Sequence, residues 1–336
     1  MLIEVSEPSQ AGEARRKATA LAEELEFCET SRGAIALATT EMATNLVKHA
    51  GKGHILVQRI VQGKKLGVRV MSVDRGPGIE DVTRALSDGN SSTNSMGAGL
   101  GVIQRLSDSF DLYSIPGSGT VISAEFWQEK TRETSLAPLE IGVVSEPVRN
   151  EIACGDGWGV RGSLDTALLM VVDGLGHGEL AADAAREAEH ILSAAKQDSV
   201  SAIVQDTHAA LRKTRGAALA IAKIQFEKSL LTFAGVGNIS ASIVAMGSSR
   251  SIPSHNGIVG HQMSRVQEFT YPWKSDSILV MHSDGIGTHW TLEDYPGIWS
   301  KKPSVIAAIL HRDFYRGRDD VTVLVAKAGH AGTKSS

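Results

Sequence analysis

Val-Met-Ser-Val-Asp-Arg-Gly-Pro-Gly at residues 70–78 and Gly-Ala-Gly-Leu-Gly at residues 97–101 decide the reading of the first half of this chain. An apolar strand ends in Asp74, so a carboxylate leaves the sheet edge, and Gly76 and Gly78 let backbone approach a ligand. Gly97, Gly99 and Gly101 open a helix, whose unpaired N–H groups and positive dipole end suit an anion. The intervening residues 88–96, DGNSSTNSM, are small and polar and read as a mobile lid. Upstream, Ile35, Ala38, Met42 and Leu46 recur at helical spacing and face the core. That places Glu41, Asn45 and His49 as a stripe on the flank of the apolar face. A carboxylate beside an amide suits a hydroxyl that must lose a proton and a Mg²⁺ that needs oxygen ligands. Alone, the stripe would be an ordinary solvated helix flank. Followed by two glycine clusters in this order, it reads as a nucleotide site.

Around these motifs the periodicities predict helices over 9–26 and 31–50, strands over 54–61 and 66–73, a helix near 99–108 and a hairpin of 110–115 with 120–127. QEKTRETSLAP, residues 128–138, is polar and ends in proline, and is the expected linker between domains 1–127 and 139–330. Beyond it the expected strands are 139–144, 166–172, 217–225, 230–235, 240–245, 277–281 and 321–326. Helices are expected over 178–196, 200–212 and 304–314. Strands and helices are grouped and do not strictly alternate, so the fold class is α+β in two domains and not a Rossmann unit.

The whole chain has 336 residues, which at about 150 per domain agrees with two domains. Its 34 Lys and Arg against 38 Asp and Glu give a formal net charge of -4, which excludes the basic excess of a nucleic-acid binder. No apolar run approaches the roughly 20 residues that span a bilayer, and the start lacks a signal-peptide pattern, so a cytoplasmic location with no membrane partner is expected. The only cysteines, Cys28 and Cys154, lie in different halves and argue against a disulfide framework or a cysteine metal site.

Glu41-x-x-x-Asn45, Asp74-x-Gly76-x-Gly78, Gly97-x-Gly99-x-Gly101 and Thr120 of GSGT resemble the N box, two glycine boxes and following threonine of the Bergerat-fold (GHKL) ATP-binding family. That family includes histidine kinases, anti-sigma kinases, gyrase and chaperone ATPases. The stretch ATTEMATNLVKHAGKG with DRGPGI looks most similar to the RsbT switch kinases. The resemblance implies an α/β sandwich, ATP with Mg²⁺ as cofactor, Asn45 as Mg²⁺ holder, Asp74 as acceptor from the adenine amino group, phosphates cradled by the second glycine box and Glu41 polarising the attacking serine hydroxyl. His49 fits the anti-sigma pattern and equally fits a packing role at the helix end.

In the second half, Asp173-Gly174 follows ALLMVV, Asp284-Gly285 follows SILVMHS, and Asp319-Asp320 precedes VTVLVA. Carboxylates where apolar strands terminate can converge on one sheet edge, and hard divalent ions want such oxygens. Each Asp-Gly alone is an ordinary turn. VVDGLGHG, FAGVGN, HSDGIGTHW and RDDVTVLV together resemble the SpoIIE and RsbX branch of the metal-dependent type 2C (PPM) phosphatases. The resemblance implies a PPM-type αββα sandwich and two Mn²⁺ or Mg²⁺ ions bridged by Asp173. The Gly174 carbonyl, Asp284 and Asp319 would complete the ligands, with Asp156 of CGDGW as an outer acidic residue. Asp320 leaves the choice between two adjacent carboxylates open, and His177 fits both the DGxGHG pattern and a plain helix N-terminus. Two cations about 3.5–4 Å apart would activate water and neutralise phosphate oxygens without a protein nucleophile. No Gly-x-Ser-x-Gly elbow or phosphate-loop cysteine supports a covalent route.

The resemblances together imply a bifunctional partner-switching regulator. Its kinase and phosphatase domains would act on a serine or threonine of STAS-domain proteins, in stressosome or anti-sigma pathways. The alternative is a phosphatase gated by an ATP-binding, partner-docking N-terminal domain that transfers no phosphate. A homo-oligomer is compatible with either.

Overall fold

The protein, described by a computed structural model over residues 1–62, 65–87, 97–128, 139–263 and 265–329, divides into two compact units, Met1–Thr134 and Ser135–Ser336. Past Gln128 the expected linker lies outside the described residues, as does the expected lid at 88–96.

The first unit runs β1 (Leu2–Val5), α1 (Pro8–Glu24), α2 (Glu29–Asn45), β2 (Gly53–Gln62), β3 (Lys65–Asp74), α3 (Val82–Leu86), α4 (Gly97–Leu106), β4 (Ser109–Ser114) and β5 (Thr120–Trp127). Its sheet is antiparallel throughout, in the order β1-β2-β3-β5-β4. Helix α1 starts with a proline in its first turn behind a reciprocal Glu7–Gln10 capping box, which satisfies end N–H groups. Its buried residues Ala11, Ala14, Ala18, Leu21 and Ala22 form one stripe at helical spacing, and their small side chains let α1 lie close against α2. Helices α1, α2 and α4 share a core with one face of the sheet, where Ile55 and Val57, Val68 and Val70, and Ile122, Ala124 and Phe126 alternate inward along β2, β3 and β5.

The helix expected over 31–50 differs from the structure in one respect that matters. Its α-helical part ends at Asn45, and Leu46–Ala50 form a π-helical turn. Apolar spacing reports which face is buried and is blind to one extra residue per turn, so the sequence pattern could not show this widening.

The second unit runs β6 (Leu139–Glu146), β7 (Asp156–Gly162), β8 (Thr166–Gly174), α5 (Glu179–Ala194), α6 (Val200–Ala210), β9 (Ala217–Gln225), β10 (Leu230–Val236), β11 (Ser240–Ala245), β12 (Ser248–Ile252), β13 (Phe269–Pro272), β14 (Ile278–His282), α7 (Pro303–Phe314) and β15 (Val321–Ala328). Two antiparallel sheets result, β13-β10-β9-β8-β7 and β12-β11-β14-β15-β6. Along β8, Leu169 and Val171 join Leu279, Met281, Leu324 and Ala326 of the other sheet in one core. The alternate residues Leu168, Met170 and Val172 pack on α5 and α6. Burial on both faces explains why β8 reads as a continuous apolar run. Helix α7, buried from Pro303 to His311, packs on β6 and β15 and completes four layers, α-β-β-α.

Strands β1, β7, β12 and β13 were not predicted, and all four lie at sheet edges. In β7 the glycines at 157 and 159 leave no room for more than hydrogen between strand and α5, since a Cβ there would approach Glu189 Oε1 and Leu192 Cδ2 to 2.6 Å. In β12, Ser-Ser-Arg-Ser is exposed. Neither pattern carries the apolar alternation by which strands are recognised.

Candidate nucleotide and metal sites

In the first unit the end of α2, the π-helical turn, the end of β3 and the start of β5 surround a cleft of about 390 Å³, including space open to solvent. Asn45, His49, Ser72, Asp74, Gly78 and Thr120 line it among apolar neighbours such as Met42, Ile79 and Leu100. Asp74 is fixed at its rim. One carboxylate oxygen accepts from the backbone N–H groups of Gly76 at 2.8 Å and Thr120 at 3.1 Å. The β4–β5 turn can approach so closely only because residue 119 is glycine. Its φ is +83°, and a Cβ there would stand 2.1 Å from the Asp74 carbonyl oxygen. Thr120 Oγ1 and Ser114 Oγ lie 2.8 Å apart, and Ser114 Oγ also accepts from Ile79 N–H, so the turn and the first glycine box are tied together.

Across the cleft, α4 packs on α2. A Cβ at Gly99 would lie 2.7 Å from Glu41 Oε2 and 3.5 Å from Asn45 Nδ2, so the second glycine box sits directly against the carboxylate and amide. The Nδ2 atom of Asn45 is buried and has no hydrogen-bond partner among the described residues. A buried amide donor left unpaired costs stability and marks a place where a ligand completes the bonding. Gly76 touches Ala50 of the π-helical turn, and Gly101 is buried on α4. Gly97 opens α4. His49 lies on the cleft wall with its pKa lowered by burial and by Lys48, which holds the imidazole neutral near pH 7. Ser72, two residues before Asp74 on the same face of β3, was missed from sequence although strand alternation could have found it.

In the second unit, β7 and β8 pair with Asp156 directly opposite Asp173. Asp284 follows β14 by two residues, and Asp319 and Asp320 immediately precede its neighbour β15. Asp173 is pushed up to about 7 by burial and by Asp284, Asp319 and Asp320. Asp284 is raised by burial and by Asp319, while Asn238 Nδ2 donates to its Oδ2 at 2.8 Å. Asp156, also raised by burial and by Asp173, accepts from Ser283 Oγ at 2.5 Å. The carboxylates thus feel one another. Even so, among the described residues no three His, Cys, Asp or Glu side chains are drawn together tightly enough to hold a metal ion.

The two adjacent aspartates differ. Asp320 is 2% exposed and gives one oxygen to Val148 N–H at 2.7 Å and the other to Gly155 N–H at 2.8 Å, which fastens the 147–155 loop. Asp319 is exposed. Gly174 ends β8 against α5, where a Cβ would stand 2.2 Å from the Ala181 carbonyl oxygen. His177, just before α5, pairs through Nδ1 with Glu151 Oε1 at 2.8 Å. The donors are carboxylates, which suit hard divalent ions, and burial beside three like charges leaves Asp173 short of the positive charge such ions would supply. In donor chemistry, though not in the spacing of the described side chains, the residues present therefore fit Mn²⁺ or Mg²⁺. Asn238 and Ser283 were missed from sequence; FAGVGN and MHSD contain them, but nothing in their spacing shows which carboxylate each would meet.

Comparison with known proteins agrees with this division. Residues 5–126 match the histidine kinase-like ATPase domain, and residues 164–290 match the stage II sporulation protein E (SpoIIE) domain. The serine/threonine-protein kinase RsbT of Bacillus subtilis is 38% identical over 114 residues, covering 34% of this chain and 86% of that protein. The phosphoserine phosphatase RsbX of the same organism is 25% identical over 134 residues, 40% of this chain and 67% of that protein. A solved structure described as "The bacterial stressosome: a modular system that has been adapted to control secondary messenger signaling" superposes with a TM-score of 0.53 at 28% identity, covering 56% of this chain and 99% of that one. Among the described residues no helix is long and apolar enough to cross a membrane. Through its first unit the chain belongs to the RsbT-like family of histidine kinase-type (GHKL) ATPase domains, here fused to a SpoIIE- and RsbX-like domain of the type 2C phosphatase class.

Proposed function

We propose that the protein is a cytoplasmic, bifunctional partner-switching regulator. Its first unit transfers phosphate from ATP to a serine or threonine of a STAS-domain protein, and its second unit removes it. The observation that carries the kinase half is the meeting of Gly99 with Glu41 and Asn45 beside a cleft whose rim is Asp74. In this reading Asp74, held by Gly76 and Thr120, accepts from the adenine amino group, and the Asn45 side chain faces the Mg²⁺ and phosphates. The α4 N-terminus with Gly97, Gly99 and Gly101 receives the phosphate charge. Glu41 takes the proton of the attacking hydroxyl.

In the second unit Asp173, the Gly174 carbonyl, Asp284 and Asp319 would hold two divalent cations, with Asp156 behind Asp173. Asp319 is assigned over Asp320 because both oxygens of Asp320 already accept backbone N–H groups. When bound, the cations activate water and neutralise phosphate oxygens. The chain's own part is to orient carboxylates: Asn238 holds Asp284, and Ser283 holds Asp156.

The test is incubation of the full chain with ATP, Mg²⁺ and the STAS proteins encoded near it, following protein-bound phosphate over time. Phosphate gain followed by loss on adding Mn²⁺ is expected. No phosphate gain, with ATP altering the rate of phosphoserine hydrolysis, would replace the kinase by a nucleotide gate.

A further inference from the structure

The turn before β9 carries Arg215, which the phosphatase reading leaves without a role. Strands β8 and β9 pair with Gly174 opposite Ala217, so Arg215 stands two residues before the partner of a proposed metal-site residue. Leu175 N–H donates to the Gly216 carbonyl at 3.0 Å, which joins this turn to the loop that follows Asp173. His261 Nε2–H donates to the Arg215 carbonyl at 2.9 Å, and the positive φ of Gly216, +78°, keeps the turn tight against His261 and Val259. The backbone under Arg215 is therefore fixed. Its side chain crosses Gly176, where a Cβ would meet Arg215 Nη1 at 2.9 Å, so the guanidinium lies along the loop between Asp173 and α5.

Arg215 is exposed, and among the described residues its guanidinium has no carboxylate partner. Glu151, which borders the same loop at Gly178, is engaged by His177. Of the carboxylates that raise Asp173, Asp284 is already partly offset by Arg316, whose backbone N–H donates to the Gly285 carbonyl at 2.9 Å. A guanidinium that lies along the loop leaving Asp173, on a fixed backbone and with no carboxylate partner among the described residues, presents several N–H donors in a planar fork, the geometry that matches two oxygens of a phosphate. We propose that Arg215 binds the phosphoryl oxygens of the phosphomonoester substrate and of the orthophosphate product. This rests on the phosphatase reading.

The test compares full-length wild type, Arg215→Ala and Arg215→Lys with Mn²⁺ present. The readouts are KM for a small aryl phosphate and for a phosphoserine peptide, inhibition by orthophosphate, and orthophosphate binding by calorimetry. Loss of a charge-assisted bond predicts that Arg215→Ala raises KM for both substrates and weakens orthophosphate binding and inhibition by about tenfold or more. Arg215→Lys should fall between, keeping charge and losing the fork. If Arg215 only props Gly176, melting temperature drops while orthophosphate binding holds, which overturns the proposal. A rise in KM confined to the peptide also overturns it, because the contact would then be to a flanking residue. Should Arg215→Ala misfold, unchanged orthophosphate inhibition in Arg215→Lys decides against it. Absence of any hydrolysis by the wild type would instead strike the phosphatase reading itself.

Discussion

The two units arrange carboxylates in opposite ways. In the first, the rim acid, Asp74, is satisfied by two backbone N–H groups, and the cleft beside it is lined mostly by neutral groups. In the second, Asp156, Asp173 and Asp284 are buried or half-buried, with Asp319 close by, and each of the first three is raised by burial and by at least one of the others. Among the described residues, the buried Asn45 amide is the group of the first site left unpaired. The second holds mutual repulsion that protons or bound cations would relieve, so a metal-binding role there would run against stability. That contrast predicts that substitutions in the two sites divide differently between activity and fold.

The largest effect is expected at Asp173. If Asp173 holds the proposed cations, Asp173→Asn removes an anionic oxygen ligand and should abolish Mn²⁺-dependent phosphopeptide hydrolysis, assayed alongside an unchanged phosphotransfer rate in the first unit. Residual hydrolysis near wild type would mean that the carboxylate cluster is structural. Next, Glu41→Ala should lower phosphotransfer by about 10² to 10⁴ while calorimetric ATP affinity stays within a few-fold, since a general base acts in the transition state. Equal loss of both would recast Glu41 as a binding residue. At Asp74, Asn can still accept from Gly76 and Thr120 through its remaining oxygen, so the fold should stand. Presenting an amide donor in place of one oxygen should nevertheless cost ATP affinity about 10- to 100-fold, the range of a charged hydrogen bond of ~1.5–3 kcal/mol. Unchanged calorimetric affinity would remove the adenine assignment. The smallest effect belongs to Asn238→Ala, which frees Asp284 from its orienting amide and should raise the Mn²⁺ concentration for half-maximal hydrolysis by about tenfold. No shift in that midpoint would make Asn238 a mere packing residue.

What sequence reasoning could reach follows from which physical signals are local. The apolar runs of β8, β14 and β15 mark strands that are buried on both sides or beside a helix, and the acids at their ends are visible in the same stretch. Gly97, Gly99 and Gly101 were legible because glycines clustered at a helix start signal close approach, as Gly99 makes to Glu41. The side-chain partners were not legible. Asn238 meets Asp284 across 46 residues and Ser283 meets Asp156 across 127, and neither pairing leaves a periodic trace. The split between Asp319 and Asp320 is of this kind too, since it depends on where the backbone of Val148 and Gly155 comes to rest. The π-helical turn after Asn45 escaped because it leaves the apolar stripe intact and alters only the rotation that follows it.

The contrast between a satisfied site and a repulsive one is tested most directly by melting wild type and Asp173→Asn in chelator, then with saturating Mn²⁺, followed by tryptophan fluorescence. Four of the five tryptophans, Trp158, Trp273, Trp290 and Trp299, lie in the second unit, so the signal reports mainly on it. Without metal, Asp173→Asn should melt at the same temperature as wild type or higher, because one of several apposed charges is gone. Mn²⁺ should raise the wild-type transition and leave that of Asp173→Asn nearly unmoved. A metal-free Asp173→Asn that melts several degrees lower, with a Mn²⁺ response equal to wild type, would contradict the account.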